Sequence, residues 1–380
     1  VPTLPLLLER AVSASVPPNA DQFAAALAEL LREIPGPIST AVASVLARVT
    51  TLPAVAPTDI VAIPLGRRRA ELPDWLLPRR TLGAFWVVRP LGAGGVSSVF
   101  VARRLEERHD SKAESFALKV PQFDPATARS LSEQEFMEMF RDEAGALLSL
   151  PHHENLARFV TFDMAARPKP ILVMELIRGA GLERLIRSRS LTVERALSHL
   201  DGILAGLEAM HGAGVGHLDI KPSNVIVRDG DTPVLVDFGL SGRKLRPGCG
   251  TLDYCAPEVI GIAPEGYTPS PLSADVYAFS CLAFEVLTGG ALFQGPDETS
   301  MLSHHLSHDG WPERLAALSQ LPDLGDVALV LAACLRRDSR ARPSVTEIRK
   351  ALAQAGRKLT HATWPLGSKR VAPEPVSKRA

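Results

Sequence analysis

Apolar residues recur at three- and four-residue spacing in three segments that open the chain: Leu4, Leu7, Leu8 and Ala11; then Phe23, Leu27, Leu30, Leu31 and Ile34; then Ile38, Ala41, Val42, Val45, Leu46 and Val49. That period places each set on one face of an α-helix. Asn19 with Gln22 has the form of a capping box and Pro37 suits a first helical turn, so the segments are expected as separate helices forming a small module over residues 1–50. Over residues 51–81 the period is lost. Pro53, Pro57, Pro64, Pro73 and Pro78, with the basic run Arg67, Arg68 and Arg69, make this stretch an expected linker.

From Leu82 the pattern changes to short β-branched and aromatic runs with glycine turns: Phe85 to Val88, Ser98 to Ala102, Ser115 to Val120 and Pro170 to Leu176. These read as strands, interrupted by a helical pattern from Leu131 to Leu150. Beyond Gly181 the pattern is mostly helical, apart from two short β stretches at Val225 to Val227 and Pro233 to Val236. The expected fold class is therefore α+β, with a small β-rich lobe followed by a larger helical lobe over residues 82–356. Residues 357–380 are polar, contain Pro365, Pro373 and Pro375, and have no apolar period; a disordered tail is expected there.

Composition narrows the class. With 46% hydrophobic and 22% charged residues, most of the chain has enough apolar surface to fold. Lys plus Arg (42) equals Asp plus Glu (42), so no global field favours nucleic acid or an anionic membrane as partner. Cys249, Cys255, Cys281 and Cys334 form neither a C-x-x-C pair nor a zinc pattern, which fits a reducing cytoplasm. The longest apolar run, Val327 to Leu335, falls well short of the ~20 residues of a membrane helix. A chain that starts at Val1 rather than methionine is expected of a fragment, and its alanine, proline and arginine content is that of a high-GC bacterial source.

Candidate chemistry lies in the 82–356 segment. Leu91-Gly92-Ala93-Gly94-Gly95-Val96-Ser97-Ser98 is a glycine-rich turn between two expected strands, where backbone amides can approach phosphate oxygens that a Cβ would hold off. Lys119 sits in the apolar strand Phe116-Ala117-Leu118-Lys119-Val120, and a lysine so placed needs a carboxylate; Glu143 on the following helix can supply it. Farther on stand His217-Leu218-Asp219-Ile220-Lys221-Pro222-Ser223-Asn224 and then Asp237-Phe238-Gly239. Two carboxylates and an amide at these intervals suit proton transfer and metal binding: Asp219 as base, Lys221 to neutralise transferred charge, Asn224 and Asp237 as Mg²⁺ ligands.

Together these motifs make residues 82–356 resemble the eukaryotic-type serine/threonine protein kinase family. The resemblance implies a bilobal fold, with one regulatory helix in the small lobe. It implies ATP and Mg²⁺ as cofactors, a protein substrate with a Ser or Thr acceptor, and catalytic roles for Asp219, Lys221, Lys119 and Glu143. Nucleotide contacts are implied at Leu91, Gly92, Ala93, Gly94, Gly95, Val99, Ala117, Lys119 and Ile226, with Met174 as gatekeeper and the backbone of Glu175 and Ile177 on adenine. Gly250-Thr251 and Ala256-Pro257-Glu258 match the end of the family's activation segment. The resemblance pairs Arg342 with Glu258 and makes Asp275 the anchor of the catalytic loop.

Two residues depart from the pattern. Leu218 stands where many relatives carry an arginine that binds a phosphorylated activation segment, and Ser97 replaces a glycine. With only 22 residues from Asp237 through Glu258, the expectation is an enzyme independent of activation-segment phosphorylation. Arg243, Lys244 and Arg246 give that segment a basic patch, and Cys249 and Cys255 read as ordinary small residues there. Two other classes are a partner-binding pseudokinase, against which Lys119, Asp219, Asn224 and Asp237 all stand, and a small-molecule phosphotransferase of the same fold, against which the substrate-platform residues stand. The N-terminal helices are a candidate docking surface for a partner.

Overall fold

The computed structural model describes residues 72–93, 97–123, 132–245, 250–261, 268–359 and 361–367. The expected helical module (1–50), residues 51–71 of the expected linker, Gly94, Gly95, Arg246, Cys249 and the tail beyond Gly367 lie outside the described residues.

A six-stranded antiparallel sheet forms the first lobe. Its strands are β1 (Thr81–Leu82), β2 (Phe85–Ala93), β3 (Ser97–Arg104), β4 (Phe116–Pro121), β5 (Phe159–Asp163) and β6 (Ile171–Glu175), in the order β1-β2-β3-β4-β6-β5. Every residue of β4 is buried, as befits a central strand covered on both faces. Its alternation sorts the side chains: Phe116, Leu118 and Val120 join Leu82, Phe85, Phe100, Ile171 and Val173 in one cluster, which leaves Ala117 and Lys119 on the opposite face. On that second face Leu172 and Met174 of β6 belong to the main core together with the helix α1 (Glu133–Leu148).

Helix α1 starts at Ser132, whose hydroxyl accepts from the Glu135 amide while the Glu135 carboxylate accepts from the Ser132 amide. Phe136, Phe140, Glu143, Ala144 and Leu147 form its buried stripe, so a glutamate sits in an apolar face and must be paired.

The second lobe holds α2 (Leu182–Arg187), α3 (Val193–Gly212), α4 (Pro271–Thr288), α5 (Glu298–Leu306), α6 (Glu313–Ser319), α7 (Gly325–Cys334) and α8 (Val345–Gly356). A three-stranded sheet, β7 (Gly179–Gly181), β8 (Val225–Arg228) and β9 (Pro233–Leu235), lies at its junction with the first lobe. Helix α4 is buried on nearly all sides and forms the centre of the lobe; Pro271 in its first turn and Gly289 at φ 73° beyond its end delimit it. The expected bilobal architecture is present, with the expected strands and the regulatory-helix position.

Two boundaries differ from expectation. The linker was expected to run to residue 81, yet Leu76 is buried, Trp75 stands edge-on to Phe100 with centroids 6.0 Å apart, and Lys169 Nζ lies 4.8 Å over the Trp75 ring. Prolines remove helical period without preventing single apolar side chains from docking. Likewise the expected tail begins too early. Leu359 and Leu366 are buried, Trp364 Nε1 donates to Val286 O at 2.8 Å, and the Leu366 amide donates to Leu287 O at 2.9 Å. Val286 and Leu287 lie in the last turn of α4, where carbonyls have no partner within the helix. Residues 361–367 supply partners from an irregular loop, which leaves no periodic signal.

Candidate active site

Between α3 and β8 the chain makes a loop, His217 to Asn224, whose shape is imposed from below by Asp275 of α4. Asp275 is fully buried; its Oδ2 accepts from the His217 amide at 2.8 Å and its Oδ1 from the Leu218 amide at 2.7 Å, while His211 Nε2 lies 2.9 Å from Oδ2. Leu218 has φ 64°, a left-handed conformation that costs a non-glycine residue about 1–3 kcal/mol and persists only where its surroundings enforce it. The two charge-assisted bonds to Asp275 provide that enforcement.

His217 is itself buried and packs its ring 5.3 Å from Phe238. Burial lowers its pKa despite the carboxylates of Asp275, Asp219 and Asp237, so the ring is neutral. That suits its bonds: Nδ1 faces the Asp219 amide at 3.4 Å and accepts, leaving Nε2 to donate to Val236 O at 3.3 Å.

Asp219 then projects with both oxygens engaged. Oδ1 accepts from Thr251 Oγ1 at 2.8 Å; Oδ2 accepts from Asn224 Nδ2 at 2.9 Å and pairs with Lys221 Nζ at 2.8 Å. Lys221 also donates to Thr251 Oγ1 at 2.7 Å, which closes a ring of three side chains. Asn224 Nδ2 donates a second bond to Asp219 O at 2.8 Å, and because both acceptors are oxygens the amide can be oriented only one way. Its Oδ1 is thereby the atom left for a cation.

A second cluster faces this one. Lys119 Nζ is 2.8 Å from Glu143 Oε1 and 3.0 Å from Asp237 Oδ1, with the lysine and glutamate side chains each 5% exposed. Burial would favour the neutral amine, but Asp237 and Glu143 outweigh it and raise the lysine pKa, keeping the ammonium. For Asp237 the balance is the mirror image: burial raises its pKa, and Lys119 more than reverses that, leaving a carboxylate. Asp237 has φ 59°, and its side chain is 29% exposed, so it reaches toward the cleft. Gly239 leaves room for the lysine, since a Cβ there would stand 2.4 Å from Lys119 Nζ.

Of the nucleotide residues named from the sequence, those described in the first lobe's sheet lie on its neighbouring strands β2, β3, β4 and β6. Val99 lies opposite Lys119 across the β3–β4 pair, and Ala117 opposite Met174 across β4–β6; all four are buried. Leu91 and Gly92 of β2 are half-buried, with Gly92 opposite Val99; Ala93 ends that strand, and Ser97 begins β3 opposite Pro121. Ile226 sits at the middle of β8. Past Glu175 the segment Leu176–Arg178 belongs to neither sheet, which leaves the backbone around Ile177 outside the ladders. Glu175 is held by Arg228 Nη1 at 2.9 Å.

Outside the cleft, Arg342 and Glu258 form a buried two-bond pair, with Nη2 to Oε2 at 2.9 Å, and Arg342 also donates to Ser273 O at 2.9 Å and lies 5.1 Å over the Tyr277 ring. The pairing expected for Arg342 and the anchoring expected for Asp275 are both present. The sequence reading did not find His211 beside Asp275 or the bond from Tyr254 to Glu285 at 2.6 Å. Each joins positions far apart in the chain and follows from no local spacing.

Among the described residues no three His, Cys, Asp or Glu side chains converge as a metal cage. Asn224 Oδ1 and the Asp237 carboxylate are hard oxygen donors, the set a magnesium ion takes when phosphate oxygens and water complete its shell. The residues present fit that ion.

A family model described as the protein kinase domain matches residues 85–352. The chain is 31% identical over 311 residues to serine/threonine-protein kinase pkn2 of Myxococcus xanthus, a match covering 78% of this chain and 35% of that protein. It is 33% identical over 234 residues to serine/threonine-protein kinase PkaB of Streptomyces coelicolor, covering 57% and 52%, and 31% identical over 273 residues to serine/threonine-protein kinase PknL of Mycobacterium tuberculosis, covering 70% and 63%. The matches thus span between about a third and two thirds of these relatives' lengths.

Proposed function

Given that this chain belongs to the protein kinase domain family, we propose that it transfers the γ-phosphoryl group of ATP to serine or threonine hydroxyls of a protein substrate. The observation that carries the reading is the pair of facing clusters: Lys119 held between Glu143 and Asp237, and Asp219 held by Thr251, Lys221 and Asn224.

Each residue has a distinct task. Asp219 orients the acceptor hydroxyl and takes its proton, a role open to it because its oxygens are fixed by donors rather than buried in apolar surroundings. Lys221, already within reach of Asp219, stabilises negative charge on the group in transfer. Lys119 presents its ammonium to the α- and β-phosphates, aimed by Glu143. Asn224 and Asp237 would hold Mg²⁺, which supplies charge neutralisation at the phosphates. Val99, Ala117, Met174 and Ile226 provide the apolar walls for adenine, and the backbone at Glu175 and Ile177 its polar edge. Gly94 and Gly95, which lie outside the described residues, are the remaining phosphate contacts implied by the glycine-rich sequence in this reading.

Leu218 can offer no charge to an activation-segment phosphate, which supports activity without that modification. No helix among the described residues is long and apolar enough to cross a membrane.

The test is incubation with labelled ATP, with and without Mg²⁺, and a mixture of protein and small hydroxyl acceptors. Label on Ser and Thr of protein, lost without Mg²⁺, is the expected result; label only in small molecules, or none, would refute the reading.

A further inference from the structure

Arg243 lies four residues beyond Gly239, on the solvent side of the segment that follows Asp237, and its guanidinium joins two helices from different lobes. Nη1 donates to the carbonyl of Ala213, the cap residue of α3, at 2.6 Å; Nη2 donates to Oγ of Ser149, the cap residue of α1, at 3.2 Å. The Ser149 hydroxyl in turn donates to Ala146 O at 2.7 Å, so it is a lone pair that faces the guanidinium. Both helix C-termini present unpaired carbonyls and partial negative charge, which attract a cation to each.

The surroundings are built for this reach. Gly242 and Gly216 exchange amide-to-carbonyl bonds at 2.9 and 3.0 Å, fixing the backbone next to Arg243, and Ser241 Oγ donates to His217 O at 3.2 Å. Gly214 has φ +70°, and a Cβ there would lie 3.0 Å from Arg243 Nη1. Two separate guanidinium nitrogens reach these two acceptors, Nη1 one and Nη2 the other, whereas a lysine would have to reach both from a single nitrogen.

Ser149 is on the helix that carries Glu143, the partner of Lys119. We propose that Arg243 is a positioning residue, a clasp that binds the start of the segment after Asp237 to the end of α1 and to α3, and so holds Glu143 against Lys119 without a phosphate. The proposal rests on the phosphoryl-transfer reading. Where phosphorylation would supply acceptors for basic residues, here a carbonyl and a hydroxyl supply them permanently.

Four variants and two readouts test it in the full chain: Arg243→Ala, Arg243→Lys, Ser149→Ala and the double variant Arg243→Ala with Ser149→Ala, each assayed for peptide phosphorylation and for hydrogen exchange of α1 and residues 237–245. For Arg243→Ala kcat should fall about tenfold, the scale of one lost charge-assisted bond, with peptide KM changed less than twofold. Exchange at the end of α1 should rise in the same variant. Arg243→Lys should recover only part of the rate, and adding Ser149→Ala to Arg243→Ala should cost little more, because both remove the same contact. A rate loss with unchanged exchange, or losses that multiply, overturns the clasp. If the parent chain transfers no phosphate, the functional reading fails and takes the positioning role with it, even where exchange responds as stated; transfer by the parent with exchange unchanged in Arg243→Ala overturns the clasp alone.

Discussion

Thr251 Oγ1 donates to Asp219 Oδ1 at 2.8 Å while accepting from Lys221 Nζ at 2.7 Å, so one hydroxyl sets the spacing between the Asp219 carboxylate and the Lys221 ammonium. Thr251→Ala should reduce kcat by about 10- to 100-fold, the worth of bonds to charged groups, and leave ATP KM within about twofold. Thr251→Ser keeps the hydroxyl and should retain most of the rate. Equal losses in both variants would show that the methyl group, not the bond, matters.

Gly239→Ala places a methyl 2.4 Å from the present position of Lys119 Nζ, closer than the two atoms can stand. Titration with a fluorescent ATP analogue should show affinity weakened at least about tenfold, since the ammonium must leave Asp237 or Glu143. Unaltered affinity would remove Lys119 from the nucleotide site.

How much of this was legible from residues alone differs by element. Lys119, Asp219, Asn224 and Asp237 were found because their chemistry is odd for its local pattern: a charge in a buried strand, carboxylates at fixed intervals in a loop. Strands β2 to β4 and β6 and the stripe of α1 follow from alternation and helical period. Strand β1 has two residues and β7 has three, too short for any period, and β5 (Phe159–Asp163) is an edge strand half-buried throughout, with no polar alternation to mark it. Trp75, Trp364 and Leu366 dock singly from proline-containing loops. The anchoring bonds of Asp275 and the clasp of Arg243 are long-range and depend on backbone carbonyls and amides, which every residue has.

Buried histidines make stability pH-dependent. Burial lowers His305 and His308 to about 3, assisted at His305 by the proximity of His308, which disfavours a second positive charge, and at His308 by the Arg337 guanidinium. Because the folded pKa lies below the unfolded value near 6.5, the unfolded state binds protons first as pH falls. Stability present at pH 7 is therefore lost below about 6.5, by up to about 1.4 kcal/mol per pH unit for each histidine. Urea unfolding at pH 7.0 and 5.5 should show a loss of about 2–3 kcal/mol. Equal midpoints would contradict the burial of this pair.

Removal of residues 360–380 strips Trp364 and Leu366 from the end of α4. It should destabilise the chain by about 2 kcal/mol or more, from the lost packing of Leu366 and the lost bonds to Val286 and Leu287. A thermal melt unchanged by the truncation would mean that this loop adds nothing to the lobe.

The most direct test of the central claim is the rate of phosphoryl transfer to a Ser/Thr peptide by phosphatase-treated parent chain and by Asp219→Asn, with melting curves recorded for both. The account predicts transfer by the parent without a lag, a loss of about 10²- to 10⁴-fold in the variant, and superimposable melts. Comparable rates in the two proteins, or a parent that is inactive until a phosphate appears on its activation segment, would contradict it.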